Sequence, residues 1–419
     1  MNDSQHIRVP ELGTSVIEIP RALAIELRDR EICAVQPTRS PDRWALSAFR
    51  CVGVLTVEGT TLEIEPKASL DALVHMVSRG GRQATLEHQV VKREAGRSVP
   101  TALARALAHE ASALAAGGLM RGYRTVEESA MVVRGRWDVP RQLGRRPGMP
   151  LPVELTLDDF TVDIDENRML AGAIAVAKRF DGLSPAVRTA LDASSIDLAG
   201  VQPIRLGSRL PRISLDRRSE RYAPALRIAR WVLEQAAWTQ RSGRQQGHGF
   251  LVEMAAVFES FVAAELTCAL QMRGLTLGSQ ETEWRLDSDG VLMFRPDLVV
   301  RDGSRIVTVA DTKYKVLAGG LRSVRNADAY QALAYATAMG AKNAELIYTG
   351  EQEWYERMAI RGSGVSVGIH VLPLNGEGEM LRGRVAAIAE RISVDAAAQA
   401  RSESRGFRKA PLSEERIGP

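Results

Sequence analysis

Two aspartates and a lysine carry the chemistry most visible in this chain. Pro296-Asp297 and Asp311-Thr312-Lys313 lie within residues 294–315, which read as two strands around a tight Asp302-Gly303-Ser304 turn. Side chains two apart on a strand share a face, so Asp311 and Lys313 point the same way. A hairpin paired as its turn suggests brings Asp297 beside them. Two carboxylates and an ammonium at a sheet end suit Mg²⁺, which keeps several waters and is held by one or two carboxylates plus a substrate phosphate. Such an ion lowers the pKa of a bound water and stabilises phosphate charge, while the lysine orients or helps deprotonate that water. The competing reading is an ordinary ion pair at a strand end, because Asp-x-Lys is a loose motif.

The elements on either side must position these groups. From residue 250 onward, Leu251, Met254, Phe258, Phe261 and Leu266 fall close to one apolar helical stripe, with Glu259 at its edge. A carboxylate there is costly unless it finds a cation or a donor, so Glu259 either snorkels to water or joins the metal site. Downstream, residues 326–340 read as an Ala-rich helix stopped by Gly340. Gln331 and Tyr335 are four apart on it and therefore neighbours on its surface.

The ordered series resembles known nucleases. Asp297, Asp311 and Lys313 are similar to the active site of the PD-(D/E)xK nuclease superfamily, and Gln331 with Tyr335 resembles the Q-x-x-x-Y helix of RecB-like nucleases. The resemblance extends upstream. Residues 52–67, ending Ile64-Glu65-Pro66-Lys67, look like the N-terminal hairpin of the McrC family, which typically ends in I-x-P-K. Gly135-Arg136-Trp137-Asp138 is similar to that family's G-x-(I/L/W)-D motif. Phe160-Thr-Val-Asp163 through Asn167-Arg168-Met-Leu170 resembles its (T/S)-x-D-x-x-x-N-R-x-L signature, with Asp158-Asp159 where many relatives have a Glu. Phe258-Glu259 matches the F-E that opens the family's nuclease domain.

This resemblance implies a Mg²⁺-dependent DNA endonuclease subunit of a modification-dependent, 5-methylcytosine-directed restriction system. Its partners would be double-stranded DNA carrying modified cytosine and an McrB-like AAA+ GTPase ring, which it would also stimulate through a basic residue. Arg43, Arg50, Arg134 and Arg136 are candidates for that residue, and solvated or structural arginine is the competing role. Asp297 and Asp311, with the Thr312 carbonyl, would hold the metal. Glu259 would assist as a ligand or through water, Lys313 would position the attacking water, and Gln331 would support the lysine or the phosphate. A non-cleaving adaptor, a stand-alone repair nuclease and a DNA-binding module are the rival classes.

Composition is compatible with these expectations. The chain has 419 residues, 45% hydrophobic and 25% charged, as expected of a globular protein of two or three domains. Its net charge of +4 permits nucleic-acid binding but does not argue for it alone. Three widely spaced cysteines and six histidines show neither a disulfide frame nor zinc spacing. Gly80-Gly81 and Gly319-Gly320 lack the Lys-Ser/Thr of a P-loop. No apolar run reaches 18 residues and no signal peptide precedes residue 20, so the cytoplasm is expected. His248 between two glycines reads as a hinge before a catalytic group, and Trp137 and Trp284 as packing before base stacking.

The fold class predicted is mixed α/β: a β-rich N-terminal domain, a helical middle region and a C-terminal PD-(D/E)xK restriction-endonuclease-like α/β domain. Boundaries fall at 1–130 (motor-partner binding), 131–245 (mostly helical), 246–400 (nuclease) and 401–419, a disordered tail by its Arg, Ser, Glu, Gly and Pro content. The basic, Gly-rich stretch 241–249 is the linker before the nuclease domain.

Overall fold

The computed structural model describes residues 5–40, 42–78, 98–241, 247–279, 281 and 284–407. Contacts divide the chain into two compact units, Met1–Pro66 with Gly81–Val252, and Lys67–Gly80 with Glu253–Pro419.

The first unit is built on a four-stranded sheet. Its strands are β1 (Gln5–Pro10), β5 (Cys51–Val57), β6 (Thr60–Glu65) and β10 (Gly247–Glu253), in the order β1-β6-β5-β10. Val52, Leu55, Leu62 and Ile64 are buried on it. Gly53 sits at φ +124°, where an added Cβ would lie 2.2 Å from the Phe250 carbonyl oxygen. Only glycine lets β10 lie that close. Beside this sheet, β2 (Thr14–Glu18), β3 (Ala34–Pro37) and β4 (Arg43–Ser47) form an antiparallel sheet in the order β2-β4-β3. The helix α1 (Arg21–Asp29) interrupts the expected run of strands, burying Leu23, Ala24 and Leu27 at i, i+1 and i+4.

Among the described residues five further α-helices belong to this unit: α3 (Val99–Ala116), α4 (Val139–Arg145), α5 (Asp165–Ala177), α6 (Pro185–Asp197) and α7 (Ala223–Arg241). The middle region is less helical than its sequence suggests. Nine-residue strands β7 (Gly122–Ala130) and β9 (Val153–Thr161) pair antiparallel, with β8 (Arg136–Trp137) on the other edge of β9. Side chains of β7 alternate in exposure but are mostly polar, so the strand carries little apolar signal. On this small sheet Tyr123, Trp137 and Phe160 are exposed, as is Val132 in the loop between β7 and β8.

The second unit holds a six-stranded sheet in the order β11-β14-β15-β16-β18-β17. The strands are β11 (Thr276–Ser279), β14 (Leu298–Asp302), β15 (Arg305–Val316), β16 (Asn343–Gly350), β17 (Trp354–Ala359) and β18 (Ser366–Pro373). Strand β15 is central: antiparallel to β14 and parallel to β16. The short pair β12 (Trp284–Arg285) and β13 (Met293–Phe294) precedes it. The helix α9 (Asn326–Ala338) covers one face, where Ala332 and Ala336 pack on Val309, Leu346, Tyr348 and Ile369. Alanines let the helix approach the sheet closely.

The other face carries α8 (Met254–Gln271) and α10 (Gly378–Phe407). By length and composition α8 could cross a membrane, but it buries Val257, Phe258, Phe261 and Leu266 and packs on β11 and β15. The helix α2 (Leu70–Ser78) belongs here too, against α8 and α10, although residues 81–252 of the first unit separate it from the rest of the second. Arg357 of β17 ties sheet to helix, donating to buried Glu345 at 3.0 Å and pairing with Asp395 of α10. The helix α10 runs to Phe407, so residues 401–407 continue it, and 408–419 lie outside the described residues.

Candidate active site

The hairpin β14–β15 forms where the sequence places it, with Leu298 opposite Ala310. One step further along this register sets Asp297 opposite Asp311. Asp297 Oδ2 accepts hydrogen bonds from the Thr312 amide at 2.7 Å and the Thr312 hydroxyl at 2.9 Å. Two donors from one residue fix this carboxylate against the end of β15.

Asp311 is buried, and its Oδ2 makes a close ion pair with the Lys313 ammonium. Burial, then the neighbouring charge of Asp297, push its carboxyl up to about 6 despite the lysine. Burial works to lower the pKa of Lys313, but Asp311 more than offsets it and the pKa is raised. The amine is therefore held as an ammonium at neutral pH. Its Nζ donates to Gln331 Oε1 at 2.9 Å, and Gln331 Nε2 donates to the Tyr335 hydroxyl at 2.7 Å. The Tyr335 ring stacks on Phe294 with centroids 4.9 Å apart. The lysine is thus steadied by a chain of contacts that ends in the hydrophobic core.

One acidic neighbour was not anticipated. Asp328 lies three residues before Gln331 on the same side of α9, is buried, and accepts from the Tyr348 hydroxyl at 2.8 Å. Lys315 Nζ stands 3.5 Å from its other oxygen, and the negative charge of Asp328 raises the pKa of both Asp311 and Lys313. The i, i+3 spacing to Gln331 was the available signal.

The donor set fits a hard divalent cation. Two carboxylates converge, and buried Asp311 has a single ammonium to offset its own charge and that of Asp297. Mg²⁺ needs no more than one or two carboxylates when waters and phosphate fill the rest. Asp297, Asp311 and the Thr312 carbonyl are the groups at hand. Glu259 is half-buried on α8, next to Phe258, whose ring lies 5.9 Å from that of Tyr314. Tyr314 thus faces α8 beside Glu259, one residue along the chain from Lys313. Among the described residues no three His, Cys, Asp or Glu side chains gather as a metal-binding group.

The other candidates have plainer surroundings. Arg50 pairs with Glu31 at 2.7 Å and Arg134 with Glu128 at 2.5 Å, both on exposed surface. Trp284 packs against the core of the second unit and donates to Glu281 at 3.1 Å, whereas Trp137 is half exposed. The His248 side chain and residues 242–246 lie outside the described residues. Two upstream motifs build structure. Asp138 caps α4 (Val139–Arg145) by accepting from the Arg141 amide at 3.0 Å. Asn167 Nδ2 donates to the Met120 and Val162 carbonyls at 2.9 and 2.7 Å, and its Oδ1 accepts from the buried Tyr222 hydroxyl at 3.0 Å.

Comparisons with known proteins agree on one family. The family model of the McrBC 5-methylcytosine restriction system component matches residues 46–349. No curated protein matches. Among solved structures, the chain resembles one in the half-complex from a tetradecameric assembly of Thermococcus gammatolerans McrB AAA+ hexamers with bound McrC. The TM-score is 0.51 and identity 16%, over 92% of this chain and 100% of that one. A second, the Thermococcus gammatolerans McrBC complex, is 18% identical over 64% of this chain and 88% of that one, with a TM-score of 0.40. The match over residues 46–349 spans both the structural motifs of the first unit and the Asp297–Asp311–Lys313 cluster, and the chain belongs to the McrBC 5-methylcytosine restriction system component family.

Proposed function

We propose that this chain is the Mg²⁺-dependent endonuclease subunit of its restriction system, hydrolysing phosphodiester bonds of double-stranded DNA that carries modified cytosine. The observation that supports this most is the convergence of Asp297, Asp311, Lys313 and Gln331 at the end of β15. When bound, a divalent ion would lower the pKa of a water and neutralise charge on the scissile phosphate.

The protein's own groups supply the rest. Asp297, aimed by two donors from Thr312, and Asp311 would hold the ion, with the Thr312 carbonyl as a third oxygen. Glu259 would act as a ligand or through water. Because Lys313 is kept protonated, orienting the attacking water and the phosphate is the better role for it than taking a proton. Gln331 keeps the ammonium in place. This chemistry would proceed in the cytoplasm.

Assembly with a GTP-hydrolysing AAA+ ring, which the chain would stimulate, is the second part of the proposal. Its support is the fold shared with the McrB–McrC assembly and the exposed Tyr123, Val132, Trp137 and Phe160 around the β7–β9 sheet. Exposed apolar groups, two of them in ring contact as Tyr123 and Phe160 are, suit a protein partner.

The test is cleavage of methylated duplex DNA by the chain with its AAA+ partner, GTP and Mg²⁺. Asp311→Asn and Lys313→Ala should leave DNA whole while GTP hydrolysis by the partner is still stimulated. Full cleavage by both variants would remove this site from consideration. Intact DNA with the wild-type chain under every condition, alongside stimulated GTP hydrolysis, would instead indicate an adaptor.

A further inference from the structure

Lys67 closes the Ile64-Glu65-Pro66-Lys67 motif at the end of β6, yet it falls in the second unit, at the back of the candidate site. Its Nζ donates to the Tyr314 carbonyl at 3.1 Å and sits 3.4 Å above the centre of the Tyr314 ring. The two residues are 247 apart in sequence. Tyr314 directly follows Lys313, where β15 loses its regular register against β16. There the register against β16 steps from Lys313–Tyr348 to Val316–Thr349, so Tyr314 and Lys315 form a bulge.

A bulge re-aims the side chains on either side of it, and its geometry is only as well defined as its anchors. The Tyr314 ring is bracketed by Phe258 of α8 at 5.9 Å and by the Lys67 ammonium. A charged donor on the carbonyl and a cation on the ring face are both among the stronger contacts of their kind. Lys313, one residue away on the opposite face, is the ammonium that meets Asp311 and Gln331.

We infer that Lys67 is a positioning residue of the nuclease site: by gripping both the backbone and the ring of Tyr314, it fixes the bulge that aims Lys313. The inference rests on the endonuclease reading above. Lys67 acts here through Tyr314. Its contribution is to hold Lys313 in the attacking geometry, so it should act on turnover and leave DNA binding alone.

The experiment compares the wild-type chain, Asp311→Asn, Lys67→Met and Lys67→Arg, each with the AAA+ partner, Mg²⁺, GTP and methylated duplex DNA. Lys67→Met keeps the length and packing of the side chain but removes the donor and the charge. It should lower kcat for cleavage about 10- to 100-fold, as loss of supporting contacts at metal sites does, with KM for DNA and the stimulated GTPase rate unchanged. Lys67→Arg can still donate to the carbonyl and lie on the ring, and should recover most of the lost rate. A rise in KM with unchanged kcat, or equal rates for Lys67→Met and the wild type, would overturn the inference. If Lys67→Met does not fold, Tyr314→Leu carries the test: it removes the ring alone and should lower kcat several-fold, and a wild-type rate would count against the proposal. Should the wild type and Asp311→Asn behave alike, the endonuclease reading itself fails, which is a different outcome.

Discussion

Asp163 in the first unit and Asp311 in the second are both buried carboxylates beside basic side chains, and their surroundings differ in kind. Asp163 Oδ1 accepts from the Gln202 amide at 2.8 Å and pairs with Arg168 at 3.2 Å, while Oδ2 meets Arg124. Both of its oxygens are matched by donors. Asp311 has a second carboxylate for a neighbour and one ammonium for relief, and its proton affinity rises in consequence. Removing charge from water without full compensation is expensive, and a fold retains such a group where the missing partner arrives later, as an ion or a substrate. Saturation at Asp163 reads as architecture, and want of partners at Asp311 reads as a site.

Exchanging each aspartate for asparagine should break this contrast most sharply. Asp311→Asn should cut the cleavage rate roughly a thousand-fold or more, since a lost metal ligand forfeits several kcal/mol of transition-state stabilisation. The same change should raise the melting temperature in EDTA, by on the order of 1 kcal/mol of stability, because it removes a carboxylate buried beside another. Asp163→Asn should do the reverse, costing about 3 kcal/mol by leaving Arg124 and Arg168 without their counter-charge. Thermal melts and cleavage gels on the two variants read both effects. Equal destabilisation by both would erase the distinction.

The supporting amides sharpen it further. Gln331→Ala should slow cleavage about 10- to 100-fold with little change in stability, as loss of a contact behind a metal site does. Asn167→Ala should cost about 2 kcal/mol, because the Met120 and Val162 carbonyls and the Tyr222 hydroxyl lose a partner together. Chemical denaturation measures the second, and single-turnover cleavage the first.

An effect confined to acid pH, and absent at neutrality, comes from His75 of α2, a half-buried ring 5.7 Å from Phe261 with no hydrogen bond to Nε2. Burial, and then the charge of Arg382, lower its pKa from 6.5 to about 4. The unfolded chain therefore takes up the proton first as pH falls. Stability from this group is complete above about pH 6.5 and drains away toward pH 4, by up to about 1.4 kcal/mol per pH unit. Its pH dependence is opposite in sign to that of Asp311, whose raised pKa makes the carboxylate costlier as pH rises. Melting curves of His75→Phe between pH 4 and pH 7 should lack the acid loss seen in the wild type.

Parts of this molecule were legible because their signals are local. The Asp302-Gly303-Ser304 turn and the Val-rich runs around it announce β14 and β15, and α9 is written in its alanines and the stop at Gly340. Helix α1 and strand β17 were not seen. Nine residues with three buried apolar positions, and a strand reading Trp-Tyr-Glu-Arg-Met-Ala, are each too short or too mixed to stand out. The motif at Asp163 and Asn167 was visible as a pattern, but its role in binding Met120, Gln202 and Tyr222 was not, because those partners lie 34 to 55 residues away.

From residue order alone one could name Asp297, Asp311, Lys313 and Gln331, since spacing of two along a strand and four along a helix decides which side chains share a face. What only folding decided is who stands behind them. Asp328 reaches the site through α9 packing on β16, and Lys67 through α2 joining a unit whose other residues begin at Glu253. Periodicity operates over a few residues, whereas long-range contacts are selected by burial of whole faces, and no local pattern records which faces will meet.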